Sequence, residues 1–190
     1  MRLYNIRQLS AIEIPEAQRL LYKLYKEELN WSPALNNASG VRYEEERLRD
    51  DFENTAIWFG AYHKNVLVGC YRLIISDIEL LRYATVPTDK HTVELTRMAV
   101  LKEYRGTSVL TLLGISSYWY ALKHGCTRCY GPVRKKTAIK SVKYGWQDTG
   151  IRFKYDINDP EETILLVLPL SYISLLKYFL KYTLKFLKFW

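Results

Sequence analysis

Glu94 and Arg97 stand in Val93-Glu94-Leu95-Thr96-Arg97-Met98-Ala99-Val100, an apolar run that carries one carboxylate and one guanidinium. A carboxylate in such a strand is a candidate general base if burial raises its pKa. The run passes at once into Leu101-Lys102-Glu103-Tyr104-Arg105-Gly106-Thr107-Ser108-Val109-Leu110. This is a small-residue turn opening a helix, and the first amides of a helix are free donors for phosphate oxygens. A base, a strand edge for an extended arm and a phosphate-binding helix start together suit acyl transfer from a thioester to an amine. That reaction needs a neutral amine, a polarised carbonyl and a thiolate able to leave. Glu94 also has a plainer reading, as the ion-pair partner of a neighbouring arginine.

Residues i and i+3 of a regular strand point to opposite faces, so Glu94 and Arg97 share a site only if a bulge intervenes. Without one, Arg97 is structural or serves the donor side. Arg72 precedes the apolar Leu73-Ile74-Ile75 and needs an acidic partner if buried. Asp50 or Glu53 could supply it, and so could an acceptor carboxylate. His91, three residues before Glu94, is a second candidate for proton transfer, whereas His63 and His124 fall at element ends. No Ser–His–Asp order, zinc motif or phosphate-binding Walker loop is present. Cys126-Thr127-Arg128-Cys129 is a lone CxxC, read as two strand cysteines.

These residues are positioned by a chain of 190 residues, the length of one domain. The three cysteines and the absence of an apolar leader after Met1-Arg2-Leu3-Tyr4 fit a reducing cytoplasm. The net charge of +8 favours an acidic partner. The apolar spacing predicts a strand over 2–9 and a helix over Ile14–Leu29, closed by Trp31-Ser32-Pro33. It then predicts a charged short helix over Tyr43–Asp51 and a hairpin of Ala56–Tyr62 with Val66–Ile75. Thr92–Val100 is the central strand, Thr107–His124 the long core helix and Arg128–Val133 the next strand. A helix over Lys135–Tyr144 and strands Ile151–Tyr155 and Thr163–Leu168 complete the domain. This order implies an α/β fold with a mixed sheet flanked by helices on both faces.

Residues 171–190 form a separate unit in this reading, following a domain of 1–170. Lys177, Lys181, Lys185 and Lys188 recur every three or four residues among aromatic and leucine side chains, and the segment has no acidic residue. It reads as a basic amphipathic helix able to lie on an anionic membrane surface. The competing reading is a helix packed on the domain with solvated lysines. Nucleic acid fits less well, because the charge sits on an aromatic tail and not along an RNA-reading motif.

Several segments, in order, resemble the GNAT acyltransferases, in particular the branch of acyl-homoserine lactone synthases and long-chain N-acyl amino acid synthases. They are Tyr22–Trp31, Asp50-Asp51-Phe52-Glu53, Gly69-Cys70-Tyr71-Arg72-Leu73, Glu94–Val100 and Tyr144-Gly145-Trp146. The resemblance implies a GNAT-like fold over about residues 1–155, and a bulge in the central strand is consistent with it. It makes Glu94 the catalytic base and places Trp31, Asp50, Glu53, Arg72 and Arg97 at the acceptor. Met98, Val100, Arg105, Gly106, Thr107 and Ser108 fall on the donor side. The implied co-substrate is an acyl-ACP or acyl-CoA thioester, with no permanently bound cofactor and no metal. The partners are then acyl carrier protein, an amine-bearing amino acid or peptide, and an anionic membrane surface through 171–190. Ser108 and Leu110 stand where the family's pyrophosphate loop has glycines, which favours acyl carrier protein over acyl-CoA. The lactone synthases' arginine falls at Leu21, which weakens S-adenosylmethionine as acceptor. Lactone synthesis from S-adenosylmethionine, or a non-enzymatic membrane-binding module, are the alternatives. The expected location is cytoplasmic, with peripheral contact at the inner membrane face.

Overall fold

The computed structural model describes residues 3–156, 159 and 161–187, the side chains of 143, 178 and 181–187 excepted. Its frame is a seven-stranded mixed sheet. In chain order the strands are β1 (Asn5–Gln8), β2 (Arg42–Glu44), β3 (Arg47–Arg49), β4 (Ile57–His63), β5 (Val66–Ile75), β6 (Thr92–Val100), β7 (Arg128–Val133), β8 (Gln147–Phe153) and β9 (Thr163–Pro169). The large sheet runs β1-β4-β5-β6-β7-β9-β8, and β2 and β3 pair separately. The helices are α1 (Ile14–Tyr22), α2 (Val109–Lys123), α3 (Lys135–Ser141) and α4 (Tyr172–Leu187).

Alternation along β4, β5 and β6 sends apolar residues to both faces, so both are covered. On one face Phe59, Leu73 and Val93 pack with Val109, Leu113 and Ala121 of α2. On the other Trp58, Cys70 and Ala99 pack with Ala17, Leu20 and Leu21 of α1. A third cluster of Ile78, Leu80, Tyr130, Phe153 and Leu165 fills the α1 side toward β7 and β9. At Gly69 a Cβ would lie 2.9 Å from a Val109 methyl, so the missing side chain lets the start of α2 sit directly on β5.

Two features of this frame create a site. First, β6 is antiparallel to β5 but parallel to β7, and the parallel pairing covers only Thr92–Glu94 against Arg128–Tyr130. Beyond Glu94 the two strands part, which frees the β6 edge on that side. Second, β6 holds one extra residue. Arg72 pairs with Thr96 but Cys70 pairs with Ala99, and Arg97 has φ +50°. This is a β-bulge.

The strands over 57–75, 92–100 and 128–133 and the core helix match the expected elements closely. Three segments differ, one of them the first closing strand, which runs Gln147–Phe153 in place of the expected Ile151–Tyr155. Tyr43–Asp51 is no helix, because Arg42–Glu44 and Arg47–Arg49 form a two-stranded hairpin. Glu45 and Glu46 make the turn with φ +50° and +56°, and Leu48 is buried between the half-buried Arg47 and Arg49. Period-two burial beats the helical propensity of a glutamate run. The helix expected over Ile14–Leu29 is α-helical only to Tyr22 and then continues as a π-helical turn, Lys23–Glu28. The tail helix is fastened to the domain at its start, with Leu175 in the core against α2. Its expected extension through 188–190 lies outside the described residues.

A Glu45-Glu46 turn with two positive φ angles is costly for side-chain-bearing residues. Replacing the pair with Asn-Gly should raise stability by about 0.5–1 kcal/mol in urea unfolding. A loss of stability would show that the two glutamates, and not the turn geometry, hold this hairpin.

Candidate active site

The bulge decides which side chains meet. Glu94 and Thr96 point to the α1 face of the sheet, whereas Val93 and Leu95 pack on the α2 side. In a regular strand Arg97 would follow Leu95 to the α2 side. The extra residue turns it instead to the face of Glu94, where Ala99 also packs. Arg72 reaches the same face from β5.

Asp50 and Glu79 close the cluster. Arg72 donates to both Asp50 oxygens, at 2.7 and 2.6 Å, and to Glu79 Oε2 at 2.5 Å. Arg97 donates to Asp50 Oδ2 at 3.0 Å and to Glu79 Oε1 at 2.6 Å. Arg72, Asp50 and Glu79 are at most 2% exposed. Burial alone would raise the Asp50 carboxyl, but Arg72 and Arg97 outweigh it and hold the group at about 2. Two guanidiniums therefore neutralise two carboxylates, and the four-residue ring carries no net charge.

Glu94 is the carboxylate left over. It is fully buried. Its Oε2 accepts the Leu80 N–H at 2.9 Å, and Oε1 has no hydrogen-bond partner among the described residues. Burial, with the Glu79 charge next, pushes its pKa up to about 7. A carboxyl with that value exchanges its proton near neutrality, as a general base must. It stands at the last parallel pair, Glu94 with Tyr130, where β6 and β7 part. Tyr155 lies on the same side, stacked edge-on against Tyr83 and Phe153 at 4.7 and 5.0 Å. Burial and the Glu94 and Glu79 charges raise its hydroxyl pKa and keep it protonated.

The other expected acceptor residues are placed differently. Glu53 lies outside the ring, bound to Arg49 Nε at 3.0 Å and to Gln18 Nε2 at 2.9 Å. Asp50, not Glu53, partners Arg72, and both its oxygens are taken by guanidiniums. Trp31 packs between Tyr25 and Tyr43 and donates its indole N–H to Asp159 at 3.3 Å. His91 binds the Gly125 carbonyl at 2.7 Å, away from Glu94. Cys126 and Cys129 are free, buried thiols in the core.

The residues expected on the donor side stand at the ends of the parted strands. Beyond the bulge Met98 and Val100 return to regular alternation, and Val100 packs on the α2 side. Arg105 donates to the Val100 carbonyl at 3.0 Å and to Glu28 at 2.5 Å, tying the turn to β6 and to the π-helical turn. Gly106 takes φ +80°, with open space where a Cβ would stand. Thr107 Oγ1 donates to the Tyr104 carbonyl at 2.6 Å, and Ser108 caps α2 without a side-chain hydrogen bond. The Val109 amide donates to Thr107 Oγ1 at 3.4 Å, and the amides just after it are among those a helix start leaves without an intrahelical partner. On the far side of the opening, Trp146 covers Gly131 of β7, where a Cβ would come within 2.8 Å of the indole. Exposed Lys102, Lys135 and Lys136 stand after β6 and β7 at this end.

Sequence reasoning did not find Glu79. It sits in a short 3-10 turn, Glu79–Arg82, and its neighbours Ile78 and Leu80 give no periodic signal. Tyr155 was read only as a strand end. The one sequence hint for Glu79 is a lone acid inside Ile78-Glu79-Leu80-Leu81, which, if buried, needs a cation.

The chain belongs to the acetyltransferase (GNAT) family, whose model matches residues 20–143. Among solved structures it is similar to the AHL synthase LasI, at 18% identity and a TM-score of 0.70, with 92% of this chain and 95% of that one covered. It is also similar to the CoA-dependent acyl-homoserine lactone synthase BjaI solved with SAM and isopentyl-CoA, at 15% identity and TM-score 0.76, with 93% and 88% covered. A third likeness is to FeeM, an N-acyl amino acid synthase from uncultured soil microbes, at 15% identity and TM-score 0.64, with 90% and 92% covered. At these identities the likeness is one of fold. No curated protein sequence matches the chain.

The charge state of Glu94 leaves a mark on stability. Its folded pKa of about 7 lies above the ordinary 4.5, so the folded state holds the proton more tightly. That contribution is complete below 4.5 and is lost as pH rises through 7, a change on the order of 3 kcal/mol. Unfolding free energy of the wild type should fall across this window, and that of Glu94→Gln should stay nearly flat. Parallel curves for the two proteins would mean that Glu94 is ionised throughout.

Proposed function

We propose that this protein is an N-acyltransferase that moves a fatty acyl group from a thioester, carried by acyl carrier protein or CoA, to the amine of an amino acid or peptide. The observation that carries this reading is the uncompensated, buried Glu94 at the point where β6 and β7 part. The opening beyond it offers the unpaired β6 edge to an extended pantetheine arm, and the start of α2 offers amides to its phosphate. The thioester carbonyl then lies along the same strand as the base.

The acceptor amine adds to the carbonyl carbon, the C–S bond breaks, and the amine proton passes to Glu94 directly or through water. The sulfur leaves as the thiolate, whose conjugate thiol has a pKa near ~8.5, so no dedicated acid is required. The protonated Tyr155, whose hydroxyl feels the Glu94 charge, is the hydroxyl candidate for a general acid. Asp50, Arg72, Glu79 and Arg97 act as a fixed neutral frame around the base. Trp31 borders the acceptor side with Tyr25 and Tyr43. Met98, Val100 and the Arg105–Ser108 turn serve the donor. Lys102, Lys135 and Lys136 suit the acidic surface of a carrier protein.

Intact-mass analysis after incubation with acyl thioesters and an amine library tests the reading. The library includes S-adenosylmethionine, and a homoserine lactone product would move the assignment to that alternative. Glu94→Gln should lower turnover on the order of 10²–10⁴-fold with fold and donor binding retained. The wild-type rate should also fall as pH drops below about 7, because the base must be ionised. Near-normal turnover in the variant removes Glu94 from the chemistry.

The donor preference is a separate expectation. Acyl carrier protein should outperform the matching acyl-CoA in kcat/KM, and its advantage should shrink as salt rises. Lys135→Glu with Lys136→Glu should narrow the gap further without changing kcat for acyl-CoA. Equal use of both donors at every salt concentration would contradict the carrier-protein assignment.

A further inference from the structure

The acyl-transfer chemistry leaves α4 unused. Its start is fastened to α2. Tyr118 Oη lies 3.3 Å from the Pro169 and Ser171 carbonyls and accepts the Ser171 N–H at 3.1 Å. Leu175 sits in the core. These contacts occupy one side of the helix. Tyr172, Ile173, Leu176, Phe179 and Leu180 are each 49–69% exposed. Their spacing of one, three, four and seven residues makes them a single stripe. The stripe continues onto α2, where Trp119 is 49% exposed and meets Tyr172 edge-on at 5.9 Å. A contiguous apolar surface of this kind marks a contact with something else.

Charge narrows the choice of occupant. The sequence from Ser171 to Trp190 holds four lysines and no acidic residue. Lys177 is exposed, and Lys181 and Lys185 follow it in the sequence at the four-residue spacing of one helical row. A second copy of this chain would bring two such rows to one contact with no acid in the segment to balance them. A nucleic acid would use the lysines and leave the stripe bare. An anionic lipid surface uses both: the apolar side chains enter the headgroup boundary and the lysine stems reach the phosphates. Tyr and Trp, with an apolar body and a polar tip, suit that boundary. Among the described residues no helix is long and apolar enough to cross a membrane, so contact would be made along the helix.

We infer that Trp119 and the exposed stripe of α4 form a docking face for an anionic lipid surface. The test needs no acyl-transfer activity, so its failure and the failure of the catalytic reading are distinct. The full chain is sedimented with vesicles of phosphatidylcholine alone and of phosphatidylcholine mixed with phosphatidylglycerol. It should partition to the mixed vesicles and little to the neutral ones. Replacing Lys177, Lys181, Lys185 and Lys188 with Gln should weaken that partition on the order of a hundredfold or more. Leu176→Ser with Phe179→Ser, both exposed and outside the core, should weaken it as well, while circular dichroism confirms the fold. Three results would overturn the inference: no partition to anionic vesicles, partition unchanged by either set of substitutions, or loss with the lysine set alone, which marks a general polyanion site. A concentration-dependent dimer abolished by Leu176→Ser and Phe179→Ser would assign the face to a second copy instead.

Discussion

The site depends on one extra residue in β6. At Arg97 the strand takes a left-handed backbone angle, φ +50°, that costs a side-chain-bearing residue on the order of 1–2 kcal/mol. The cost is offset where the guanidinium lands, since Asp50 and Glu79 both receive it. Without the bulge the same arginine would point into the α2 core, where Val93, Leu113 and Ala121 offer no charge. The bulge lies in the half of the strand that has one free edge. Through Glu94 β6 is held on both edges, by β5 and by β7, and beyond it only β5 remains.

The buried ring is better understood through charge than through stability. Burying ion pairs gains little against an apolar core, because desolvation cancels most of the attraction. What the ring does achieve is a fixed balance of two positive and two negative groups. A fifth ionisable group, Glu94, then has no cation of its own, and it lies near the Glu79 charge. The Leu80 amide, supplied by the same 3-10 turn that carries Glu79, is the one donor that steadies its carboxylate. Burial does most to raise the Glu94 pKa, and this one turn adds the Glu79 charge that raises it further while supplying the hydrogen bond that lowers it. The proton on Glu94 is poised by that opposition.

How far the sequence revealed this follows from what leaves a pattern. The strands Val66–Ile75 and Thr92–Val100 are long apolar runs with interior charges, so both they and their odd residues, Arg72, Glu94 and Arg97, were legible. The mixed α/β sheet followed from the order of elements. The register was not legible, and so neither was the bulge that joins Glu94 to Arg97, since one residue in a pairing shifts no local spacing. Glu79 was hidden because a 3-10 turn has no apolar period to stand out from. The Tyr43–Asp51 hairpin was hidden for the opposite reason: its glutamates and arginines imitate a solvated helix, and only the burial of Leu48 between Arg47 and Arg49 reveals period two. Glu53 shows the limit of proximity in sequence. It lies three residues from Asp50, yet it turns to Arg49 and Gln18.

Under the acyl-transfer reading, the same electrostatics bear on the acceptor. An amine arrives in water as an ammonium ion. Beside an ionised Glu94 it would complete a third ion pair in a pocket already neutral. Moving one proton from nitrogen to carboxylate converts that pair into two uncharged groups, and burial favours the uncharged pair. The pocket therefore favours the neutral, nucleophilic amine, and the proton that Glu94 takes from the ammonium passes on to solvent before Glu94 accepts the second proton, released as the amide forms. Had Glu79 been absent, Arg72 or Arg97 would hold a spare charge and Glu94 would pair with it, remaining ionised and weakly basic. The frame of Asp50, Arg72, Glu79 and Arg97 thus need not touch an acceptor to govern the reaction. By satisfying one another they leave Glu94 as the carboxylate of the cluster with no ion-pair partner among the described residues.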